Sequence, residues 1–270
     1  MRIFDKFKKK EIITFSDQWD YYSCMIDDKP CAIHFDPAVE NLSDEDRKQY
    51  PHTIEIRIPY NEIKENGFPT SGEMKRINKI QDELFAGDYN IRLIGAIVGD
   101  GHSHFIFCSD VANDDVVETL VSKNESISSY LSRIHLDDNF EEYYQTISPD
   151  IYERQLIMNR IQCQQLKQGG DDFSKERLID FYINFESDVH IQNISEKLSE
   201  QGFCVVGRDK LESGIESLHF TIEGIPNLDS ITDITYDIID LLEETDGVFD
   251  GWGCLVIRRR RKLMQNLQKT

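Results

Sequence analysis

Val248-Phe249-Asp250-Gly251-Trp252-Gly253 runs directly into an apolar stretch, Cys254-Leu255-Val256-Ile257, and reads as the last strand of a sheet. Glycines on both sides of a large aromatic mean that the backbone bends, or approaches something closely, where Trp252 sits. Two readings stay open. The segment is a bulged strand with Trp252 as a core anchor, or it is a recognition surface with Trp252 and Phe249 as anchors. Ahead of it, Ile231, Ile234, Ile238, Leu241 and Leu242 recur at helical spacing, and Asp246-Gly247 ends the pattern.

Working outward, the region 171–257 reads as one domain. A strand is expected over 178–185. Ile191, Ile194 and Leu198 mark a helix closed by Gly202, and strands are expected over 203–206 and 217–223. With the helix over about 228–245 and the strand over 248–257, the order is strand, helix, strand, strand, helix, strand. That order suits a split βαβ, ferredoxin-like sheet with both helices on one face. Before it, Ser148-Pro149 reads as an N-cap followed by proline at the first helical position, with Asp150 and Glu153 in the first turn. This helix, within 148–170, should run to about Lys167, stop at Gly169-Gly170 and connect two domains.

The first domain is expected over 11–147. Segments 19–27 and 31–35 look like a hairpin turning at Asp28-Lys29-Pro30. Residues 52–58 alternate as a half-buried strand does, and Thr70-Ser-Gly-Glu73 reads as a capping box ahead of Met74, Ile77, Ile80 and Leu84. Strands over 90–99 and 102–108 flank Asp100-Gly101, a strong two-residue hairpin signal. A helix over 111–123 with Val116, Val117, Leu120 and Val121 inward precedes a strand over 126–135. From residue 52 the element order is the same as in the second domain, so the fold class is α+β. Two ferredoxin-like sandwich domains are expected, the first with an extra N-terminal β-hairpin, followed by a basic tail at 258–270.

The chain has 270 residues, 39% of them hydrophobic, and a net charge of −20. No apolar run approaches the roughly 20 residues of a membrane span, and the N-terminus lacks the apolar core of a secretory signal. The six cysteines, Cys24, Cys31, Cys108, Cys163, Cys204 and Cys254, show no metal or redox spacing and read as reduced, mostly buried thiols of a cytoplasmic protein. The charge opposes nonspecific nucleic-acid binding, which needs a basic face. It is unevenly placed: residues 171–257 hold 20 acidic and 5 basic side chains, while 258–270 hold six basic and no acidic ones. An acidic body of this kind favours basic protein partners.

The clearest surface signal is on the last helix. Asp229, Asp233, Asp237, Asp240 and Glu244 lie along one face, opposite the isoleucines. Like charges at this spacing oppose helix formation by a few tenths of a kcal/mol per pair. They are the candidate protein-binding residues, together with Phe249, Asp250 and Trp252; the alternative is an ordinary solvated face. His102 and His104 share a strand face, as do His34 and Asp36, and either pair could begin a metal site or simply pack. Trp19-Asp20-Tyr21-Tyr22 is aromatic-dense but has no basic strip beside it, so packing is favoured over RNA stacking. Arg258 to Lys262 could bind RNA, anionic lipid or an acidic partner. There is no GxxxxGK[ST], GxGxxG after a strand, GxSxG or HExxH. No catalytic, cofactor-binding or metal-binding residue is therefore assigned, and the expectation is a protein that is not an enzyme.

Three further features carry a resemblance: Asp180-Phe-Tyr-Ile-Asn-Phe185 as a first strand, Gly202-Phe203 after the first helix, and the terminal Val248-Phe-Asp-Gly-Trp-Gly253. On these, the second domain resembles the bacterial family of regulators of ribonuclease activity B, small acidic proteins that bind ribonuclease E and inhibit it. In that family the terminal motif usually has tyrosine where Phe249 stands, and its stand-alone members tend to end in acidic rather than basic tails. Trp19-Asp-Tyr-Tyr22, Lys29-Pro30, Pro51-His52 and Arg57-Ile58-Pro59 resemble a bacterial family of unknown function that is found fused to the regulator-like domain. The resemblance implies a regulator that binds a basic segment of a ribonuclease E-like endonuclease. Two alternatives stand beside it: a hydrolase or metal-binding activity in the first domain, and RNA binding through the basic tail.

Overall fold

The computed structural model describes residues 19–85, 91–110, 112, 117–118, 121–122 and 124–258. Its internal contacts divide the chain between Pro149 and Asp150 into two compact units. Both are antiparallel sheets with helices, and both have the ferredoxin-like strand order.

In the first unit the strands are β1 (Asp20–Ile26), β2 (Lys29–Phe35), β3 (His52–Pro59), β4 (Ile91–Gly99), β5 (His102–Ser109) and β6 (Leu131–Leu136). The sheet order is β1-β2-β4-β5-β3-β6, so β4-β5-β3-β6 forms the split βαβ core and the hairpin extends it at the β4 edge. A 3-10 turn (Pro37–Asn41) and helices α1 (Asp44–Arg47), α2 (Ser71–Phe85) and α3 (Glu141–Thr146) accompany the sheet. Ile77 and Ile80 of α2 pack with Ile54, Ile56, Phe105 and Phe107 on one face, joined by Val117 and Val121.

The other face is covered too, which the alternation over 52–58 does not convey. Val39, Leu42, Phe140, Tyr143 and Ile147 are buried. Tyr143 donates its hydroxyl to Asp36 O at 3.1 Å, and Tyr22 donates to Ile147 O at 3.0 Å. Gly95 makes room for this layer, because a Cβ there would lie 2.7 Å from Ile147. Thr53 and Glu55, expected to face solvent, are consequently buried.

Several boundaries differ from the sequence reading for local reasons. The first hairpin turns at Asp27-Asp28, both at positive φ, so Lys29 and Pro30 already belong to β2. Thr70 accepts from Glu73 N at 3.3 Å, but the Glu73 carboxylate turns to Asn61 N and Arg76, leaving the capping box half formed. Asn124 caps a turn through Ser126 N at 3.0 Å, so β6 begins at Leu131 rather than at 126. Val116, Leu120, the side chain of Leu84 and residues 11–18 lie outside the described residues.

The second unit contains α4 (Ile151–Gln168), β7 (Arg177–Phe185), α5 (Ile191–Glu200), β8 (Cys204–Lys210), β9 (Glu216–Gly224), α6 (Leu228–Leu242) and β10 (Gly247–Cys254). Its sheet order is β10-β7-β9-β8. Ile179, Phe181, Ile183 and Phe185 alternate along β7 into a core with Ile194, Leu198, Ile231 and Ile238. The helix read as a connector is a full member of this unit. Ile157, Asn159 and Leu166 bury its inner face, and it packs on α6. Its N-cap is Asp150, not Ser148: Asp150 accepts from Tyr152 N and Glu153 N at 2.9 Å, and Glu153 returns a contact to Asp150 N at 2.7 Å. Ser148 donates instead to Glu40 at 3.0 Å. The far end of β10 is tied down by Arg177, which pairs with Asp171 and donates to Leu255 O at 2.9 Å.

Candidate protein-binding site

The register between β10 and β7 shifts between Phe249 and Gly251, so Asp250 is the extra residue of a bulge and Gly251 takes φ 147°. This has a direct side-chain consequence. In a regular strand, residues three apart point to opposite faces. With one residue looped out, Phe249 pairs with Ile183 and Trp252 with Phe181, so both rings turn toward the helices. Phe249 lies 6.4 Å from the Phe181 ring, and Asp250 is left exposed.

Trp252 is half-buried and its indole Nε1 donates to Asn159 Oδ1 at 2.8 Å. Asn159 is buried and answers on both ends, donating to Thr235 Oγ1 at 2.8 Å while accepting from Gln155 Nε2 at 2.8 Å. A buried amide normally needs such partners. Trp252 therefore belongs to the joint between α4, α6 and β10, and Phe249 is half-buried against the same core.

Asp229, Asp233, Asp237, Asp240 and Glu244 are all exposed. Asn227 caps α6 through Ser230 N at 2.9 Å, and Ile231, Thr235, Ile238, Ile239 and Leu242 fill the buried side. No basic residue lies within α6 to neutralise the stripe. Asp240 accepts from the Tyr152 hydroxyl at 2.7 Å, which links the stripe to the first turn of α4.

Beside Asp240 the surface becomes apolar. A groove of about 490 Å³ runs between the start of α4, the end of α6 and the start of β10, lined among others by Ile151, Met158, Ile239, Val248 and Phe249. Ile151, Met158 and Val248 are 60%, 59% and 66% exposed. Val248 belongs to the terminal motif, whereas Ile151 and Met158 belong to no motif of the sequence. Ile151 and Met158 fall out of phase with the buried Ile157 and Leu166, and that mismatch was the available signal. Of the predicted residues, Phe249 lines the groove, Asp240 borders it, and Asp229 sits at the far end of α6.

The opposite face of this sheet holds a second aromatic feature. Tyr182 and His219 stack at 4.7 Å with 10° between planes, and His219 Nε2 lies 2.8 Å from Asp180 Oδ1. Gly251 and Gly207 flank the pair in register. Of the basic run, Arg258 bridges to Asp171, and residues 259–262 lie outside the described residues.

In the first unit the predicted histidines separate. Register places His34 opposite Ala96, on the α2 side, whereas His104 lies opposite Ile97 and Arg57 on the other face. His34 stacks on Tyr21 at 5.8 Å, and Asp36 caps the 3-10 turn through Ala38 N at 2.9 Å. His102 Nδ1 sits 3.0 Å from Asp100 O. Of the predicted histidines, it is His104 that meets a buried carboxylate, that of Glu55, at 3.0 Å. All six cysteines are free thiols; Cys31 and Cys108 are buried, and Cys204 is exposed on the edge strand β8.

Both units have the ferredoxin-like strand order, and each matches the model of a known family. Residues 156–254 match the family model Regulator of ribonuclease activity B, and residues 17–148 match the family of unknown function DUF695. The two matches follow one another in the order the quoted motifs implied. No curated protein matches the chain. Among solved structures, an unknown protein from Galdieria sulphuraria is 9% identical with a TM-score of 0.20, covering 74% of this chain and 95% of its own. A protein assigned provisionally as a glycine cleavage system transcriptional repressor is 7% identical with a TM-score of 0.23, covering 77% and 98%. No helix among the described residues is long and apolar enough to cross a membrane.

Proposed function

We propose that the chain is a non-enzymatic, cytoplasmic regulator whose second unit binds a basic segment of an RNA-degrading endonuclease of the ribonuclease E type and limits its access to RNA. The observation that carries this reading is the acidic stripe of α6, a helix without a basic residue, lying beside a largely apolar groove that Arg154 also lines. A cationic segment with a few apolar side chains matches both parts. Exposed charge sets the encounter rate and the orientation. Burial of Ile151, Met158 and Val248 against the partner supplies free energy at roughly 25 cal/mol per Å² of apolar surface removed from water. Asp233, Asp237 and Asp240 steer in this account, Phe249 floors the groove, and Trp252 keeps α4 and β10 in register beneath it. The family match of residues 156–254 supports the ribonuclease as the partner class.

The test is an RNA-cleavage assay with a purified ribonuclease E-type endonuclease and a fluorogenic RNA. The intact chain should slow cleavage in a dose-dependent way, and Met158→Glu with Val248→Glu should relieve the inhibition while leaving the fold intact. Unchanged cleavage at saturating protein would remove the endonuclease from the account.

A further inference from the structure

Glu55 lies on β3 between β5 and β6, on the sheet face away from α2, with its side chain only 5% exposed. Two histidines and two arginines lie within 4.0 Å of its carboxylate. His104 Nε2 is 3.0 Å from Oε2. His135 Nδ1 is 3.6 Å from Oε1, and the other ring nitrogen is 3.9 Å from Glu142 Oε2. One donor atom from each of Glu55, His135 and Glu142 lies within 4.8 Å of the other two.

The hydrogen bonding here is incomplete in a telling way. Glu55 Oε1, His104 Nε2 and His135 Nδ1 are all buried, and none has a hydrogen-bond partner of normal geometry among the described residues. His104 Nε2 lies against the other oxygen of Glu55, but Glu55 Oε1 and His135 Nδ1 face each other at 3.6 Å, and two buried atoms left so ask for something that satisfies both. The surrounding framework is, by contrast, fully built. Thr53 donates to Asp137 Oδ2 at 2.9 Å, and Asp137 accepts from Glu141 N at 2.6 Å and Glu142 N at 3.1 Å. This holds the first turn of α3, and with it Glu142, against β3.

We propose that Glu55, His135 and Glu142 form a site for one divalent transition-metal ion of the zinc type, with His104 holding Glu55 from behind. Two carboxylates and an imidazole form a nitrogen–oxygen donor set that suits zinc, manganese or iron(II) better than calcium or magnesium. Four bonds of about 2.1 Å in a tetrahedron put donors about 3.4 Å apart. Side-chain rotations of about an ångström bring the present spacing to that value. His104 on the second carboxylate oxygen is the kind of outer contact that orients a ligand. The carboxyl of Glu55 is held below the usual carboxylate range, first by His104, so it is an anion at neutral pH. Three protein donors leave a fourth position for water.

Arg133 is the competitor. Its NH1 lies 3.2 Å from Glu55 Oε1, and its side chain is 64% exposed. Arg57 NH2 stands 3.9 Å from Oε2. Arg133 is free to swing outward, and a dication in its place neutralises two carboxylates where the guanidinium reaches one.

The experiment uses the full chain, stripped with chelator, titrated with zinc chloride by calorimetry and with cobalt(II) chloride by visible absorption. One zinc per chain is expected, with cobalt d–d bands that zinc removes. Glu142→Gln and His135→Ala should each weaken binding at least tenfold, and Arg133→Ala should tighten it by removing the competitor. Glu142 is partly exposed, so its variant decides the matter even where Glu55→Gln fails to fold. Absence of zinc binding, or binding that neither Glu142→Gln nor His135→Ala weakens, would overturn the site and leave a buried ion cluster. Ribonuclease inhibition by the second unit is read separately and does not depend on the outcome.

Discussion

Trp252 and Asn159, 93 residues apart, meet through one hydrogen bond of 2.8 Å that joins the last strand to the first helix of the second unit. The bond exists because the bulge at Asp250 turns Trp252 toward the helices, where Thr235 holds the other end of the amide. Two of the sequence's open questions meet here: why glycines flank the tryptophan, and what the helix over 148–170 belongs to.

Trp252→Phe keeps much of the packing but removes one of the two donors to Asn159 Oδ1, leaving Gln155 Nε2, and should destabilise the second unit by about 0.5–1.5 kcal/mol. Trp252→Ala should cost more, about 3–5 kcal/mol, through the cavity it opens. Urea denaturation followed by far-UV circular dichroism checks both. A Trp252→Phe variant as stable as the parent would mean that the indole N–H contributes nothing, and equal stability of the two variants would mean that the ring packing does not.

Charge reversal on α6 separates binding from folding. Lysine at position 237 would stand four residues from Asp233 and three from Asp240, turning repulsive pairs into attractive ones worth about 0.2–0.5 kcal/mol each. Asp237→Lys should therefore leave the melting temperature unchanged or slightly raised while slowing association with a basic partner. A drop in melting temperature of several degrees would show that Asp237 has a structural contact the exposed stripe does not suggest.

Acid should weaken the first unit through Glu55. Its carboxyl is depressed, chiefly by His104, so its contribution to stability is present above the ordinary glutamate value of about 4.3 and is lost as pH falls through the folded value. With chelator present, Glu55→Gln should lower the melting temperature at pH 7, and the gap to the parent should close toward pH 3. A gap that persists there would assign the loss to packing rather than to charge.

The thiols should react in order of exposure. Cys204 is exposed, whereas burial pushes the Cys31 and Cys108 thiols up and that of Cys163 to about 11. Maleimide labelling followed by peptide mass mapping should find Cys204 modified first and Cys108 only after denaturation. Early labelling of Cys108 would mean that β5 opens readily.

The fold was legible because its cues are local. Apolar residues at helical spacing in α6, alternation in β7 and β9, and Asp100-Gly101 as a turn each decide an element without tertiary help. What escaped depended on a second layer. Residues 52–58 alternate as a half-exposed strand should, yet the layer over Tyr143 and Ile147 buries Glu55, and no local pattern announces it. Ser148-Pro149 looked like a helix start, and Asp150 with Glu153 made the stronger capping box. The acidic stripe could be read directly from spacing. The groove could not, since Ile151 and Met158 of α4 and Val248 of β10 are far apart in sequence and only the packing of α4 on α6 beside β10 brings them together.

The most direct test of the central claim is a calorimetric titration of the intact chain with the basic segment of a ribonuclease E-type endonuclease, repeated at several salt concentrations, for the parent and for Asp233→Lys/Asp237→Lys. The account predicts parent binding that weakens steadily as salt rises, and a variant with an unchanged melting temperature that binds at least tenfold more weakly at low salt. Equal affinity of the two proteins, or binding indifferent to salt, would contradict it.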